Sequence, residues 1–163
     1  MAKQPRTRKA SRPSLSASKV DAAALQEALE QTYSDHRWLA VLEVFLHTGV
    51  ADAGQIRAAT GLSHDQLSDL LSRFRELAGE SILTRVPFNI PRPGARGRPP
   101  AVYRLGAAGA ALLRANGYPD AHACGLTDAR PIAHARATLD IRLAAEQAGL
   151  AVETERELPY SQG

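Results

Sequence analysis

The run R-P-G-A-R-G-R-P-P-A-V-Y-R-L, from Arg92 to Leu105, decides how the rest of the chain is interpreted. Its first half is rich in Pro, Gly and Arg, which excludes a helix and disfavours a central strand. Its second half, residues 101–105, alternates as a strand does, with Val102 on one face and Tyr103 on the other. The β-prone residues 81–86 can pair with it in an antiparallel arrangement. The sequence therefore predicts a β-hairpin with a long tip.

The charge of this hairpin is entirely positive. No acidic residue lies between Arg85 and Arg104, and this stretch carries five arginines: Arg85, Arg92, Arg96, Arg98 and Arg104. Such a tip suits a phosphate backbone, or a narrow minor groove where negative potential is concentrated. A basic loop that is merely solvated is the alternative interpretation at this point.

Composition limits the classes of protein that remain. The chain has 163 residues, enough for one domain with appendages or a small domain plus part of another. Hydrophobic residues make up 44% of it and aromatic residues only 5%, which favours close-packed helices over an aromatic-rich β fold. The formal net charge is only +3, so the positive charge is local rather than general.

Cysteine content and hydropathy exclude further classes. The single Cys124 rules out an internal disulfide and a multi-cysteine zinc module, and we expect a partly buried thiol. His122, Cys124 and His134 have no standard zinc spacing, so no metal or other cofactor is expected. No apolar run approaches the roughly 20 residues that span a bilayer, and the basic N-terminus lacks the apolar segment of a secretory signal. We expect a cytoplasmic protein with no membrane partner.

Upstream of the hairpin the sequence predicts an arm and two helices. Residues 1–18 are Arg, Lys, Ser and Pro with almost nothing to bury, which predicts a disordered basic arm. Arms of this kind often lie along DNA, although many are only solubilising. A domain is predicted over residues 19–117. It begins with an amphipathic helix from Lys19 that ends before Ser34, and continues with a mostly buried helix that Asp35 caps and Gly49 stops.

The segment before the hairpin predicts two further helices joined by a tight turn. A short helix covers roughly residues 53–59, and Gly61 can take a positive φ in the turn. Ser63 then caps a second helix, and Gln66 three residues later completes a capping-box pattern. Five apolar residues at three- and four-residue steps must face the core: Leu67, Leu70, Leu71, Phe74 and Leu77.

Together these elements predict a fold that is mainly α with a small β-hairpin, a winged helix-turn-helix. The second helix would lie in the major groove of double-stranded DNA and the hairpin would be the wing. On the helix the expected DNA contacts are Ser63, His64, Gln66, Ser68 and Arg73, of which Gln66 can pair with adenine. On the wing they are the five arginines named above, which would bind phosphates or the minor groove.

Two stretches carry a resemblance to known proteins, over about residues 35–116. G-L-S-H-D-Q-L-S-D-L-L-S-R-F-R-E-L, which begins at Gly61, resembles the turn and recognition helix of bacterial winged-helix regulators. Gly97-Arg98-Pro99 followed by Tyr103, Leu105 and Gly109 resembles the wing signature G-R-P-x-x-x-Y-x-L-T-x-x-G of that superfamily. Residues 96–99 also resemble the core of an AT-hook, which reads A·T-rich minor grooves.

The chain departs from this pattern in two places. Gly106 replaces the Thr of the signature, which removes a helix N-cap worth roughly 1 kcal/mol. Asp65 and Asp69 lie on the recognition helix and would repel phosphates.

After residues 106–116, a helix that closes the domain, the sequence predicts a linker over residues 118–131. Pro131 opens a helix to Gln147 that Gly149 ends, and residues 150–158 alternate as a strand. Residues 132–163 are thus expected to be either a dimerisation element, with Leu139 and Leu143 pairing with a second copy, or the start of a second domain.

The order of elements also resembles the replication-relaxation family of plasmid- and phage-associated proteins. There a similar helix begins a second domain that resembles restriction-endonuclease folds, and His134 and Asp140 would be the matching positions. This sequence stops at Gly163, where that domain would have barely begun, so nuclease activity is not carried over. His134 and Asp140 are six residues apart, a spacing that does not place them on one helical face.

The leading hypothesis is a non-enzymatic DNA-binding protein that regulates transcription or plasmid or phage replication, as a monomer or a homodimer. No catalytic residues are expected, because no Ser-His-Asp, Cys-His or paired-carboxylate arrangement is visible. Two alternatives stay open. The chain is the N-terminal, DNA-targeting part of a nuclease- or relaxase-type protein, or it is a winged helix used for protein contacts.

Overall fold

A computed structural model describes residues 21–92 and 94–152. Within them the fold is mainly helical with a small antiparallel sheet, as predicted at that level. In chain order the elements are α1 (Ala22–Thr32), α2 (Arg37–Glu43) with a 3₁₀ turn (Val44–Leu46), β1 (Val50–Asp52), α3 (Ala53–Thr60), α4 (His64–Ala78), β2 (Leu83–Arg85), β3 (Val102–Leu105), α5 (Ala107–Ala115) and α6 (Ala129–Gln147). The predicted basic arm lies outside the described residues, as does most of the predicted strand 150–158. Residues 150–152, which are described, have no strand structure.

The sheet joins distant parts of the chain. Its order is β1-β3-β2 with both pairings antiparallel. The β2–β3 hairpin confirms the prediction, with Leu83 opposite Leu105, and we call residues 86–101 between its strands the hairpin loop. Strand β1 was not predicted, because three residues are too short to show alternation. It pairs with β3 through Val50 opposite Arg104.

Both faces of the sheet carry buried apolar side chains. Tyr103 belongs to the main core, which also contains Trp38, Phe45 and Phe74. Its neighbour Val102 faces the other way and belongs to a second cluster: Val50, Val86, Ile90, Val102, Ile132 and Ala135. The predicted alternation of Val102 and Tyr103 is therefore confirmed, and each face of the sheet contributes to an apolar cluster.

Helix α6 covers this second face and packs against β1 and α3. Leu139, expected to pair with a second copy, is fully buried within the chain, and Leu143 packs partly against the main core. The helix begins at Ala129, so Pro131 lies in its first turn, where a missing backbone N–H costs nothing. Thus α6 packs against other elements of the same chain, while the assignment of residues 132–163 to a dimerisation element or to the start of a second domain stays a prediction.

The start of α2 also differs from the prediction. The residue before the helix is His36, with a left-handed φ of 56° and no side-chain capping bond. Asp35 instead accepts a hydrogen bond from the backbone N–H of Arg37 and forms an ion pair with its guanidinium at 2.6 Å. The regular helix ends at Glu43 and a 3₁₀ turn follows, so the prediction of one helix as far as Thr48 was too long.

Gly106 has a structural reason that the sequence did not reveal. A Cβ at this position would lie 2.1 Å from the carbonyl oxygen of Ser81, and one at Gly109 would lie 2.4 Å from that of Ile82. The same carbonyls accept the first N–H groups of α5, from Gly106 to Ile82 at 3.0 Å and from Ala108 to Ser81 at 2.9 Å. A backbone carbonyl therefore takes the place of the missing Thr side chain as the N-terminal acceptor.

Candidate nucleic-acid interface

Two consecutive capping boxes place the turn between α3 and α4. Asp52 caps α3 and exchanges hydrogen bonds with Gln55, and Gly61 ends the helix with a φ of 74°. Two residues later the Ser63 hydroxyl accepts the N–H of Gln66 at 3.2 Å, while Gln66 Oε1 accepts the N–H of Ser63 at 3.0 Å. The predicted cap and the predicted positive φ at Gly61 are both confirmed.

The core-facing residues of α4 set which side chains it exposes. Leu67, Leu70 and Phe74 are buried, and Leu71 and Leu77 pack partly against the main core. The exposed residues of the helix and its cap include four that were predicted to contact DNA: Ser63, His64, Gln66 and Ser68. The structure therefore brings these four together at the N-terminal end of α4.

Gln66 is less suited to read adenine than the sequence indicated. A bidentate pair with adenine uses both the side-chain oxygen and the nitrogen. Oε1 of Gln66 already accepts the Ser63 N–H in the capping box, which leaves Nε2 as the atom directed to an outside acceptor. His64 and Ser68 are exposed and have no role in the cap, so they are the better candidates for base contacts.

Asp69 is partnered within the protein. The Tyr33 hydroxyl donates to its Oδ2 at 2.7 Å. Burial raises the pKa of Tyr33 to about 12, and the hydrogen bond to Asp69 adds to the effect. Arg37 lies over the Tyr33 ring at 5.7 Å from its centroid. Asp69 is therefore held by Tyr33, although Asp65 and Asp69 are both exposed on α4.

Arg73 lies along α4 and is not extended into solvent. Its Nη1 is 3.3 Å from Glu76 Oε2, and 35% of its side-chain surface is exposed. Its Nε is buried without a hydrogen-bond partner. These contacts point Arg73 along its own helix, so it carries less of the candidate interface than the sequence indicated.

The exposed arginines of the hairpin are Arg85, Arg96 and Arg98. Arg85 and Arg98 line an open cavity of about 480 Å³ together with Arg104, and Glu80 is the acidic residue in its wall. Two of the exposed arginines and Arg104 thus surround one depression at the base of the hairpin loop. This juxtaposition of positive charge suits an anionic ligand such as a phosphate.

The other two predicted arginines are engaged within the protein. Arg104 donates from Nη1 to the backbone oxygen of Leu126 at 2.6 Å. Arg92 donates to Oδ2 of Asp52 from Nε at 3.1 Å and from Nη2 at 2.6 Å, and Nη2 also reaches Oδ1 of Asp140 at 3.2 Å. Asp52 has no exposed surface, and a buried carboxylate requires such a partner. We therefore leave Arg92 out of the candidate interface.

Asp52, Gln55, Arg136 and Asp140 form a polar cluster that was not predicted. Gln55 Nε2 donates to the backbone oxygen of Arg136 at 2.7 Å and to Asp140 Oδ1 at 2.8 Å. Arg136 is 4% exposed, its Nε lies 3.6 Å from Asp52, and burial lowers its pKa. The spacing Asp52-x-x-Gln55 repeats the capping-box pattern and could have been recognised. The contacts with Arg92 and Arg136 have no local signal.

The remaining candidates are separate from this cluster. His134 is exposed on α6, whereas Asp140 bonds to Gln55 and Arg92. Cys124 is a partly buried thiol without a disulfide, as predicted. Among the described residues, no three His, Cys, Asp or Glu side chains lie close enough together to hold a metal ion. None of the helices in that part of the chain is long and apolar enough to cross a membrane.

No protein-family model, curated protein or solved structure matches this chain.

Proposed function

We propose that this chain is a winged helix-turn-helix protein that binds double-stranded DNA. Helices α3 and α4 are the helix-turn-helix and the hairpin loop is the wing. The observation that carries the proposal is the direct succession of two elements. A capped helix with an exposed N-terminal end is followed by a hairpin that exposes Arg85, Arg96 and Arg98 and has no acidic residue between Arg85 and Arg104.

The two elements supply different kinds of contact. Arginine side chains on the wing neutralise phosphates, which fixes the register of the protein on the duplex without selecting a sequence. The N-terminal end of α4 carries the partial positive charge of the helix dipole, which favours an approach to DNA. His64 and Ser68 then read base edges in the major groove. The arrangement of the sheet, with β1 paired to the strand that follows the wing, supports this interpretation.

As the role of this binding we propose the regulation of transcription or of plasmid or phage replication, without catalysis. The resemblance of the turn, the helix from Ser63 and the wing to bacterial winged-helix regulators favours this role over others. A use for protein contacts is the second candidate, and the exposed Asp65 and Glu76 on α4 favour it, because acidic side chains are unfavourable next to phosphates.

The test is fluorescence anisotropy of the chain with random-sequence duplex DNA across a salt series. The affinity should fall as salt rises, with a logarithmic slope of about 0.9 for each phosphate contact. Arg98→Ala should lower the slope by about one unit for every sequence tested. The control is Arg114→Ala on α5, a helix that packs mainly against α1 and α2; its slope should equal that of the unaltered chain.

Absence of binding at low salt would remove the DNA proposal and favour protein contacts. An equal slope for the Arg98 and Arg114 variants would remove Arg98 from the interface.

Base recognition by α4 needs a separate test. His64→Ala and Ser68→Ala should change the order of preferred sequences in a selection from random duplexes while leaving nonspecific binding and the salt slope nearly intact. Ser72→Ala, also exposed on α4 but one turn further from its N-terminal end, is the matched control. The same fractional loss on every sequence for His64→Ala would mean that α4 does not read bases there.

A further inference from the structure

The hairpin loop is anchored to α6 by apolar contacts. Most of the described residues of the loop are exposed, but Val86 and Ile90 are buried, each with only 5% of its surface exposed. They belong to the same cluster as Ile132 and Ala135 of α6. A loop that only carried charge would not need to bury two apolar side chains against a helix from the C-terminal part of the chain.

Polar contacts with α6 and with Asp52 fix the same part of the loop. Arg136 of α6 donates from Nη1 to the backbone oxygen of Ile90 at 3.0 Å. Two residues further along, Arg92 reaches Asp140 of α6 at 3.2 Å and the buried Asp52 at 2.6 Å. Ile90 and Arg92 are therefore both fixed, one through its backbone and the other through its side chain.

The charges of this group balance. Two carboxylates, of Asp52 and Asp140, face two guanidinium groups, of Arg92 and Arg136. Asp52 and Arg136 are buried, and at such positions charged hydrogen bonds hold their geometry because any displacement leaves a charge without a partner. Arg92 is exposed over only about a third of its side chain, 34%, although it precedes the exposed tip of the loop. We call Arg92, Arg136, Asp140 and Asp52 the α6 clamp.

We propose that the α6 clamp holds the hairpin loop in the position from which Arg96 and Arg98 contact DNA. Arg92, Arg136 and Asp140 are then positioning residues. Helix α6 contributes to DNA binding by holding the loop, and these residues do not themselves contact DNA. The inference rests on the proposed function for its purpose, while the clamp itself is a property of the free protein. The effect of the clamp on the loop of the free protein and its effect on DNA binding are tested separately.

The first experiment measures backbone amide hydrogen exchange without DNA. Asp140→Ala alters a half-exposed position and removes one acceptor of Arg92, and Arg136→Met keeps the bulk of a buried side chain but removes the donor to Ile90. In both variants exchange in the hairpin loop should accelerate several-fold, while the amides of α4 keep their protection. The control is Arg130→Met, an exposed arginine on the same helix, which should leave the loop unchanged.

Unchanged exchange in the loop of both variants would overturn the clamp. Equal acceleration in the loop and in α4 would also overturn it, because the loop would then not be held selectively.

The second experiment measures the salt slope of DNA binding. If the loop is displaced, the contacts of Arg96 and Arg98 are lost together, so Arg136→Met should lower the slope by up to about two units, at about 0.9 for each contact. Arg98→Ala should lower the slope of the unaltered chain but add nothing in the Arg136→Met background. A residue with a merely structural role would weaken folding without changing the slope, and full additivity of the two substitutions would reject the positioning role.

Failure of the proposed function and failure of the positioning role give different results. If the unaltered chain does not bind DNA, the proposed function falls and with it the purpose of the clamp, while the exchange experiment still decides whether α6 holds the loop. If the chain binds DNA with a slope that Arg136→Met does not change, the proposed function stands and the positioning role falls.

Discussion

Helix α4 and the hairpin loop are the two parts of the proposed interface, and they are held in place by contacts of different range. The cap of α4 joins Ser63 and Gln66, three residues apart. The hairpin loop is held by Arg92 and Asp52, forty residues apart, and by Arg92 and Asp140, forty-eight residues apart. The helix can form from its own neighbours and needs the core only to bury its apolar side. The loop has a defined position only when α3 and α6 are already in place.

This difference in range predicts that α4 and the hairpin loop respond differently to substitutions. A change in α4 should alter local stability and base contacts, whereas a change far from the loop in sequence should alter where the loop lies. Four substitutions test this contrast, from the largest expected effect to the smallest.

Asp52→Ala should cost the most. It leaves the guanidinium groups of Arg92 and Arg136 without their buried carboxylate and removes the cap of α3. Breaking a buried ion pair on one side costs about 3–5 kcal/mol of unfolding free energy. Denaturant unfolding measures the loss. Asp128→Ala is the matched control, since Asp128 precedes α6 without a side-chain capping bond, and it should stay within about 0.5 kcal/mol. Similar small losses for both would mean that Asp52 is not the centre of the contacts that hold the loop.

Gly109→Ala should strain the junction between α4 and the hairpin. The added Cβ would lie 2.4 Å from the Ile82 carbonyl oxygen and 2.7 Å from Leu105 Cδ1, so α5 and residues 81–82 must move apart. Such overpacking costs about 1–3 kcal/mol. Thermal unfolding measures it against Gly125→Ala, where a Cβ meets nothing within 4 Å. A Gly109→Ala chain with the stability of the Gly125→Ala chain would show that this approach is not tight.

Ser63→Ala should have a smaller and local effect. It removes the acceptor for the N–H of Gln66 and should cost about 1 kcal/mol. Ser68→Ala, on the exposed face of the same helix, should cost nothing, because alanine is the better helix former. Hydrogen exchange in the hairpin loop should be the same in both variants. Accelerated exchange of the loop in Ser63→Ala alone would show that the two regions are less independent than their contacts indicate.

Tyr33→Phe should have its clearest effect at high pH. The pKa of Tyr33 is raised from 10.0 to about 12, so the folded chain keeps the phenol proton where the unfolded chain loses it. This contribution to stability is complete below pH 10 and is lost as the pH rises toward 12. Unfolding free energy should therefore fall more steeply between pH 10 and 12 in the unaltered chain than in Tyr33→Phe.

Tyr118 is a second tyrosine that contributes to the pH dependence of the unfolding free energy, and it serves for comparison within the same chain. Its hydrogen bond to Glu43 raises its pKa with the same sign, on a part of the chain away from α4. Parallel slopes for the unaltered chain and Tyr33→Phe would mean that Tyr33 keeps an ordinary pKa and that Asp69 is not partnered as described.

Much of α4 and its cap was predictable from the sequence. The capping box at Ser63, the positive φ at Gly61 and the apolar positions of α4 all depend on residues within four positions of one another. The strand pairing of the hairpin was also predicted, since the alternation of Val102 and Tyr103 is a local signal. The engagement of Gln66 in its own cap was implied by the same pattern, yet it limits the base contact for which that residue was chosen.

The position of the hairpin loop depended on contacts that no local sequence pattern contains. Composition alone could not distinguish Arg92, held by Asp52 and Asp140, from Arg98, which is exposed. The burial of Leu139 and Arg136 within the chain likewise required the position of α6 on the sheet. The sequence by itself determined α4, its cap and the location of positive charge, because each depends on neighbours along the chain, whereas the cap and the end of α2 were predicted wrongly. Only the tertiary structure decided which arginines face solvent, because a buried carboxylate selects its partner by distance in space, and that distance exists only after the chain has folded.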